Sequence, residues 1–123
     1  MAIYRQIIVV IVSTAFFLSG AAGAFGHAQL IHAEPPPGSA ISTAPSEVTL
    51  NFSERLEPAF SSVAVRDAVG NRVDKADSYV DKNRAVMRIS LQPLAPGVYI
   101  VEWRAVATGT HKTEGAFIFH VGE

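Results

Sequence analysis

From Val48 onward the chain alternates between apolar and polar positions in short runs. Val48, Leu50 and Phe52 enclose Thr49 and Asn51, and Val63 and Val65 alternate with Ala64 and Arg66. Met87, Ile89 and Leu91 enclose Arg88 and Ser90. Tyr99, Val101 and Trp103 enclose Ile100 and Glu102, and Phe117, Phe119 and Val121 enclose Ile118 and His120. Successive side chains of an extended chain point to opposite sides, so a period of two with one apolar face predicts half-buried strands. No long amphipathic helical pattern follows residue 26.

Turn chemistry separates these runs. Pro35-Pro36-Pro37-Gly38 cannot continue a strand interior, because proline has no N–H to give to a ladder. Ala68-Val69-Gly70-Asn71 reads as a hairpin turn, and Pro93-Leu94-Ala95-Pro96-Gly97 as another. A short helical turn fits near Glu57–Phe60. Strands at this spacing predict an all-β domain, an antiparallel sandwich or barrel of about seven strands. There is no internal repeat, linker or low-complexity tract.

The first residues follow a different pattern. Arg5 precedes a run from Ile7 to Leu18 that is apolar except for Ser13 and Thr14, and Ser19-Gly20-Ala21-Ala22-Gly23-Ala24 follows. A charged start, an apolar stretch and a small-residue exit predict a secretory signal peptide over 1–26 and a mature domain over 27–123. A membrane anchor is the other reading, but the run falls short of the roughly 20 apolar residues that spanning takes.

Residues 1–26 hold one Arg and no acid, so of 10 basic and 11 acidic residues only one basic residue belongs to the leader. The mature domain is therefore slightly acidic and carries no basic run, which argues against nucleic acid or an anionic membrane as partner. The chain has no cysteine, so it has neither a disulfide framework nor a thiolate ligand. There is no nucleophile elbow, Walker loop or H-E-x-x-H, and the scattered Asp67, Asp74, Asp77 and Asp81 read as solvated loop charges. The domain is not expected to be an enzyme.

Histidine is the informative residue type. His27, His32, His111 and His120 all follow the leader. Cleavage after Gly26, with Ala24 and Gly26 at the small-residue positions, makes His27 the amino terminus. Its α-amine and imidazole Nδ1 can then close a six-membered ring on one ion. Two nitrogen donors suit the tetragonal preference of Cu(II), and an amine of pKa about 7.7–8.0 yields its proton readily near neutral pH. Cleavage after Ala24 would block this chelate, and cleavage after Ala28 would remove His27. A second imidazole would complete a T-shaped set of three nitrogens.

The stretch His27-Ala28-Gln29-Leu30-Ile31-His32-Ala33-Glu34-Pro35 resembles the mature start of CopC-type periplasmic copper-resistance proteins. So do Val48 to Glu54 followed by Glu57-Pro58-Ala59-Phe60, and Gly97-Val98-Tyr99 to Trp103-Arg104 followed by Gly109-Thr110-His111-Lys112-Thr113-Glu114-Gly115 and Phe117-Ile118-Phe119. The resemblance covers nearly all of the mature chain, with its motifs in one order. It implies a Greek-key, immunoglobulin-like β-sandwich that binds copper, as Cu(II), in the periplasm. Such a protein sequesters the ion, confers resistance, or passes the ion to an inner-membrane copper transporter, and is a monomer. The metal ligands it implies are His27, by amine and imidazole, and His111. The family places an Asp two residues before the second His, and here that position is Gly109. The resemblance therefore implies a site short of one carboxylate, with weakened Cu(II) binding. Glu114 and His32 are auxiliary candidates. His32 would face away from His27 on a regular strand, His120 should face solvent, and Met87 lies in the apolar register of the core. Two other functions compete: a metal-free sandwich whose copper site has decayed into an interaction module, and a histidine-brace copper monooxygenase.

Overall fold

Each alternating run becomes a strand with its apolar residues turned to a shared interior. The computed structural model describes residues 27–109 and 111–122, so the expected leader over 1–26 lies outside the described residues. The strands are β1 (Leu30–Glu34), β2 (Ala40–Ile41), β3 (Glu47–Phe52), β4 (Ser62–Asp67), β5 (Tyr79–Val80), β6 (Val86–Ser90), β7 (Gly97–Val106) and β8 (Lys112–Val121). Among the described residues a single 3-10 turn spans Pro58–Phe60, where the sequence predicts a helical turn. One sheet has the order β1-β3-β6-β5 and the other β2-β8-β7-β4. All pairs are antiparallel except β2 with β8. The chain changes sheet at most connections, which makes the fold a Greek-key β-sandwich.

The core lies between the sheets. Val48, Leu50 and Phe52 of β3 and Met87 and Ile89 of β6 face Val63 and Val65 of β4, Tyr99 and Val101 of β7, and Phe119 and Val121 of β8. Residues such as Leu50, Ile89 and Phe119 are fully buried, each contributing about 1.5–3 kcal/mol relative to an exposed side chain. Met87 is among them, in the core position that its register predicts. The Tyr99 hydroxyl donates to the Ala95 carbonyl and pins the turn that enters β7. Trp103 packs edge-on against Phe52 with ring centres 5.2 Å apart. Its cross-strand neighbour is Gly115, where a Cβ would come within 2.5 Å of the indole, so only glycine leaves the ring its place.

One carboxylate departs from the expectation of solvated loop charges. Asp74 is 4% exposed and its side chain is fully buried. Residues 71–77 cross from one sheet to the other. Val73 N–H donates to Val65 of β4, while Asp74 bridges Leu91 and Lys75 N–H donates to Ser90 of β6. At the crossing, the Asp74 carboxylate accepts from Val65 N (2.7 Å), Ala76 N (2.9 Å), Arg72 Nε (2.8 Å) and Arg72 Nη2 (2.7 Å). Burial by itself would raise its pKa, but the Arg72 hydrogen bonds and the two backbone N–H groups outweigh it and hold the carboxyl below its ordinary value. Asp67 ends β4 and accepts the Val69 and Asn71 N–H groups of the turn that follows, Asp81 accepts the Lys82 N–H, and Asp77 accepts the Ser90 N–H of β6.

Candidate metal centre

His27 and His111 meet at one end of the sandwich although 84 positions separate them in sequence. Their imidazoles touch edge-on, with ring centres 4.6 Å apart and planes at 63°. His111 sits on the connection between β7 and β8, where Ala107 N–H donates to the His111 carbonyl at 3.2 Å and folds the loop back. His27 precedes β1, and its place is set by the residue after it. Ala28 is fully buried and acts as a small apolar plug. Its carbonyl accepts the Thr113 hydroxyl at 2.8 Å. Gln29 and Ser53 exchange two hydrogen bonds, Gln29 N to Ser53 Oγ at 2.9 Å and Ser53 N to Gln29 O at 2.8 Å. The bond from Thr113, two residues beyond His111, to Ala28, one residue beyond His27, brings the two rings together.

Thr113 and Ser53 are positioning residues that the search for metal donors passes over, since a hydroxyl is not a donor a copper motif advertises. Both lie inside the segments that resemble the CopC family, and that resemblance is the one sequence signal that points to them.

The pair suits a metal that prefers nitrogen. With metal–imidazole bonds of about 2.0 Å, two rings on adjacent sides of one ion have centres about 4.5 Å apart, and on opposite sides about 6 Å apart. The observed separation of 4.6 Å is close to that of the first arrangement.

The auxiliary candidates stand elsewhere. His32 lies across from Asn51 and pairs with Glu34 at 3.3 Å. A register shift between Leu30 and His32 breaks the strand's alternation, so Ile31 and His32 are both exposed and counting along a regular strand does not give the facing of His32. Glu114 pairs with Lys112 at 3.5 Å. Among the described residues no group of three or more His, Cys, Asp or Glu side chains converges, so neither candidate joins the histidine pair in this conformation. His120 is exposed on β8, as its register predicts. At position 109 a side chain would meet open space, but the backbone has φ +124°, a conformation that favours glycine. The carboxylate is therefore missing together with the backbone shape that would carry one.

The CopC domain family matches residues 30–122. The chain belongs to the CopC family. Among its relatives is Copper resistance protein C of Xanthomonas campestris pv. juglandis, 29% identical, with the match covering 96% of this chain and 97% of the relative. Copper transport protein CutJ of Bacillus subtilis is 32% identical over 101 residues, but the match covers 80% of this chain and only 19% of that much longer protein. Among solved structures, the Escherichia coli protein PcoC, described as a methionine-rich copper resistance protein, is 32% identical with a TM-score of 0.69, covering 77% of this chain and 98% of PcoC. This CopC-family chain thus has a copper-related function, and its family is one of copper-resistance proteins rather than enzymes. Methionine richness is a property of PcoC; here Met87 is buried in the core.

Proposed function

We propose that this protein binds Cu(II) in the periplasm through His27 and His111, after removal of residues 1–26. The observation that carries the reading is the contact of the two imidazoles, 4.6 Å apart, between a prospective amino terminus and a distant loop. The α-amine and imidazole of His27 would chelate the ion, and His111 would add the third nitrogen. A water or another oxygen donor would take the place of the carboxylate that Gly109 lacks. His111 is exposed and His27 half-buried, so the ion can be taken up and passed on by ligand exchange without the fold opening. That suits sequestration or delivery to a membrane transporter, as CutJ's description as a copper transport protein also suggests.

The test is thermal unfolding of protein that begins at His27, with and without Cu(II). An ion that binds only the native state at 100 times its Kd adds about 2.7 kcal/mol, which in a domain of this size raises Tm by more than about 10 °C. His111→Ala should remove most of that rise. A second reading, a metal-free interaction module, draws on the glycine at position 109 and the lack of a third converging ligand among the described residues. An unchanged Tm with Cu(II) would favour it.

A further inference from the structure

An open cleft of about 290 Å³ is lined by Glu54, Arg55, Arg84 and Thr108, the last of these three residues before His111. We propose that this cleft binds a small organic carboxylate. Three loops are stitched together to form it. Leu56 N–H donates to the Arg84 carbonyl at 2.6 Å, Thr108 N–H donates to the Arg55 carbonyl at 3.1 Å, and Leu56 bridges Ala107. This backbone mesh fixes where the Arg55, Arg84 and Thr108 side chains begin. Arg84 is held at φ +64°, one of two non-glycine residues at positive φ among those described. Such a conformation costs about 1–2 kcal/mol and persists only where its surroundings impose it. Here it sets a second guanidinium against the cleft that Arg55 already lines.

The chemistry of the cleft is that of an oxyanion site. A guanidinium offers a planar fork of donors that matches a carboxylate. Among the described residues neither Arg55 nor Arg84 forms an ion pair, whereas Arg66, Arg72 and Arg88 all do. The Thr108 hydroxyl donates to the Arg55 carbonyl at 3.4 Å and helps to hold that loop, so the two guanidinium groups are the donors for an anion. Glu54 opposes an anion and leaves the cleft with one net positive charge, so binding is weak, in the millimolar range, and falls with salt. The volume sits at the small end of ligand sites and suits a compact di-acid rather than a polymer.

The cleft and the histidine pair share one loop. Thr108 lines the cleft and His111, three residues on, is at the pair; a Cβ at Gly109 would meet open space. If the copper reading holds, on which this last step rests, a bound carboxylate supplies the oxygen donor that position 109 does not.

The test is a two-dimensional ¹⁵N NMR titration of metal-free protein beginning at His27 with succinate at low salt, which needs no copper. Saturable shifts should cluster at residues 54–55, 84 and 108–109. Arg55→Gln and Arg84→Asn (asparagine tolerates positive φ) should each weaken binding several-fold, and Glu54→Gln should strengthen it. All three positions are exposed, and unchanged thermal unfolding verifies that the variants fold. Non-saturable shifts, shifts that survive the double arginine variant, or equal binding of sulfate would overturn the proposal. Succinate binding in a protein that fails to bind Cu(II) would uphold the cleft while overturning the copper reading.

Discussion

Removing the Asp74 carboxylate should be among the most damaging surface-to-core changes in this domain. Its buried side chain accepts four hydrogen bonds at the crossing between the sheets. Asp74→Ala leaves Val65 N–H, which lies in the buried part of β4, without a partner, at about 1–3 kcal/mol. Ala76 and Arg72 are exposed and can turn to water, so their loss adds less. The total expected is about 2–4 kcal/mol, near the lower end of what breaking a buried ion pair costs. Urea unfolding should show it as a lower midpoint at unchanged m-value. The acid limb provides a second reading. A carboxyl whose folded pKa lies below its unfolded value of about 3.9 contributes its full stability above that value and loses it as pH falls through the folded pKa. Wild-type protein should thus lose stability below about pH 4 more steeply than Asp74→Asn. Asp77 and Asp81 are also held below their ordinary values, Asp77 by its hydrogen bonds with Ser90 and Asp81 by the Lys82 N–H and Arg88, and they titrate alike in both proteins, so the difference isolates Asp74. A cost below about 0.5 kcal/mol, or parallel acid limbs, would refute the reasoning.

Three further substitutions probe separate parts of the structure. Gly115→Val drives a side chain into the Trp103 ring and should cost about 1–3 kcal/mol, with a changed tryptophan emission spectrum in the folded state. Thr113→Val keeps the shape but leaves the Ala28 carbonyl without its donor, which should cost about 1 kcal/mol and weaken Cu(II) binding in competition titrations. Gly109→Asp should destabilise the metal-free protein by about 1–2 kcal/mol because of its positive φ, yet tighten Cu(II) binding; unchanged affinity would mean that position 109 is not beside the metal.

Much of the fold is legible in the alternation. Val48, Leu50, Phe52, Met87, Ile89, Leu91, Tyr99, Val101, Phe119 and Val121 all take the buried positions that a period of two assigns them. The 3-10 turn at Pro58–Phe60 falls where the sequence predicts it. What pattern alone misses are features set by non-local pairing. The two-residue strands β2 and β5 are too short to show a period. Asp74 looks like any loop acid until the crossing from β4 to β6 buries it against Arg72 and Val65. The β1 register shift is equally silent, and it defeats the facing argument for His32. The meeting of His27 and His111 depends on the Ala28 plug and the Thr113 hydroxyl, and no local spacing encodes it. In the sequence, only the family resemblance joins the two histidines.

The measurement that bears most directly on the copper reading is Cu(II) affinity, by competition with a calibrated chelator and with electron paramagnetic resonance of the bound ion, for two proteins that begin at His27: one with its α-amine free and one with that amine acetylated. Acetylation leaves both imidazoles in place and takes only the His27 α-amine from the donor set. The protein with the free α-amine should bind at least about tenfold more tightly, a difference of about 1.4 kcal/mol, with hyperfine structure from three nitrogens. Equal affinities and identical spectra would contradict the copper reading.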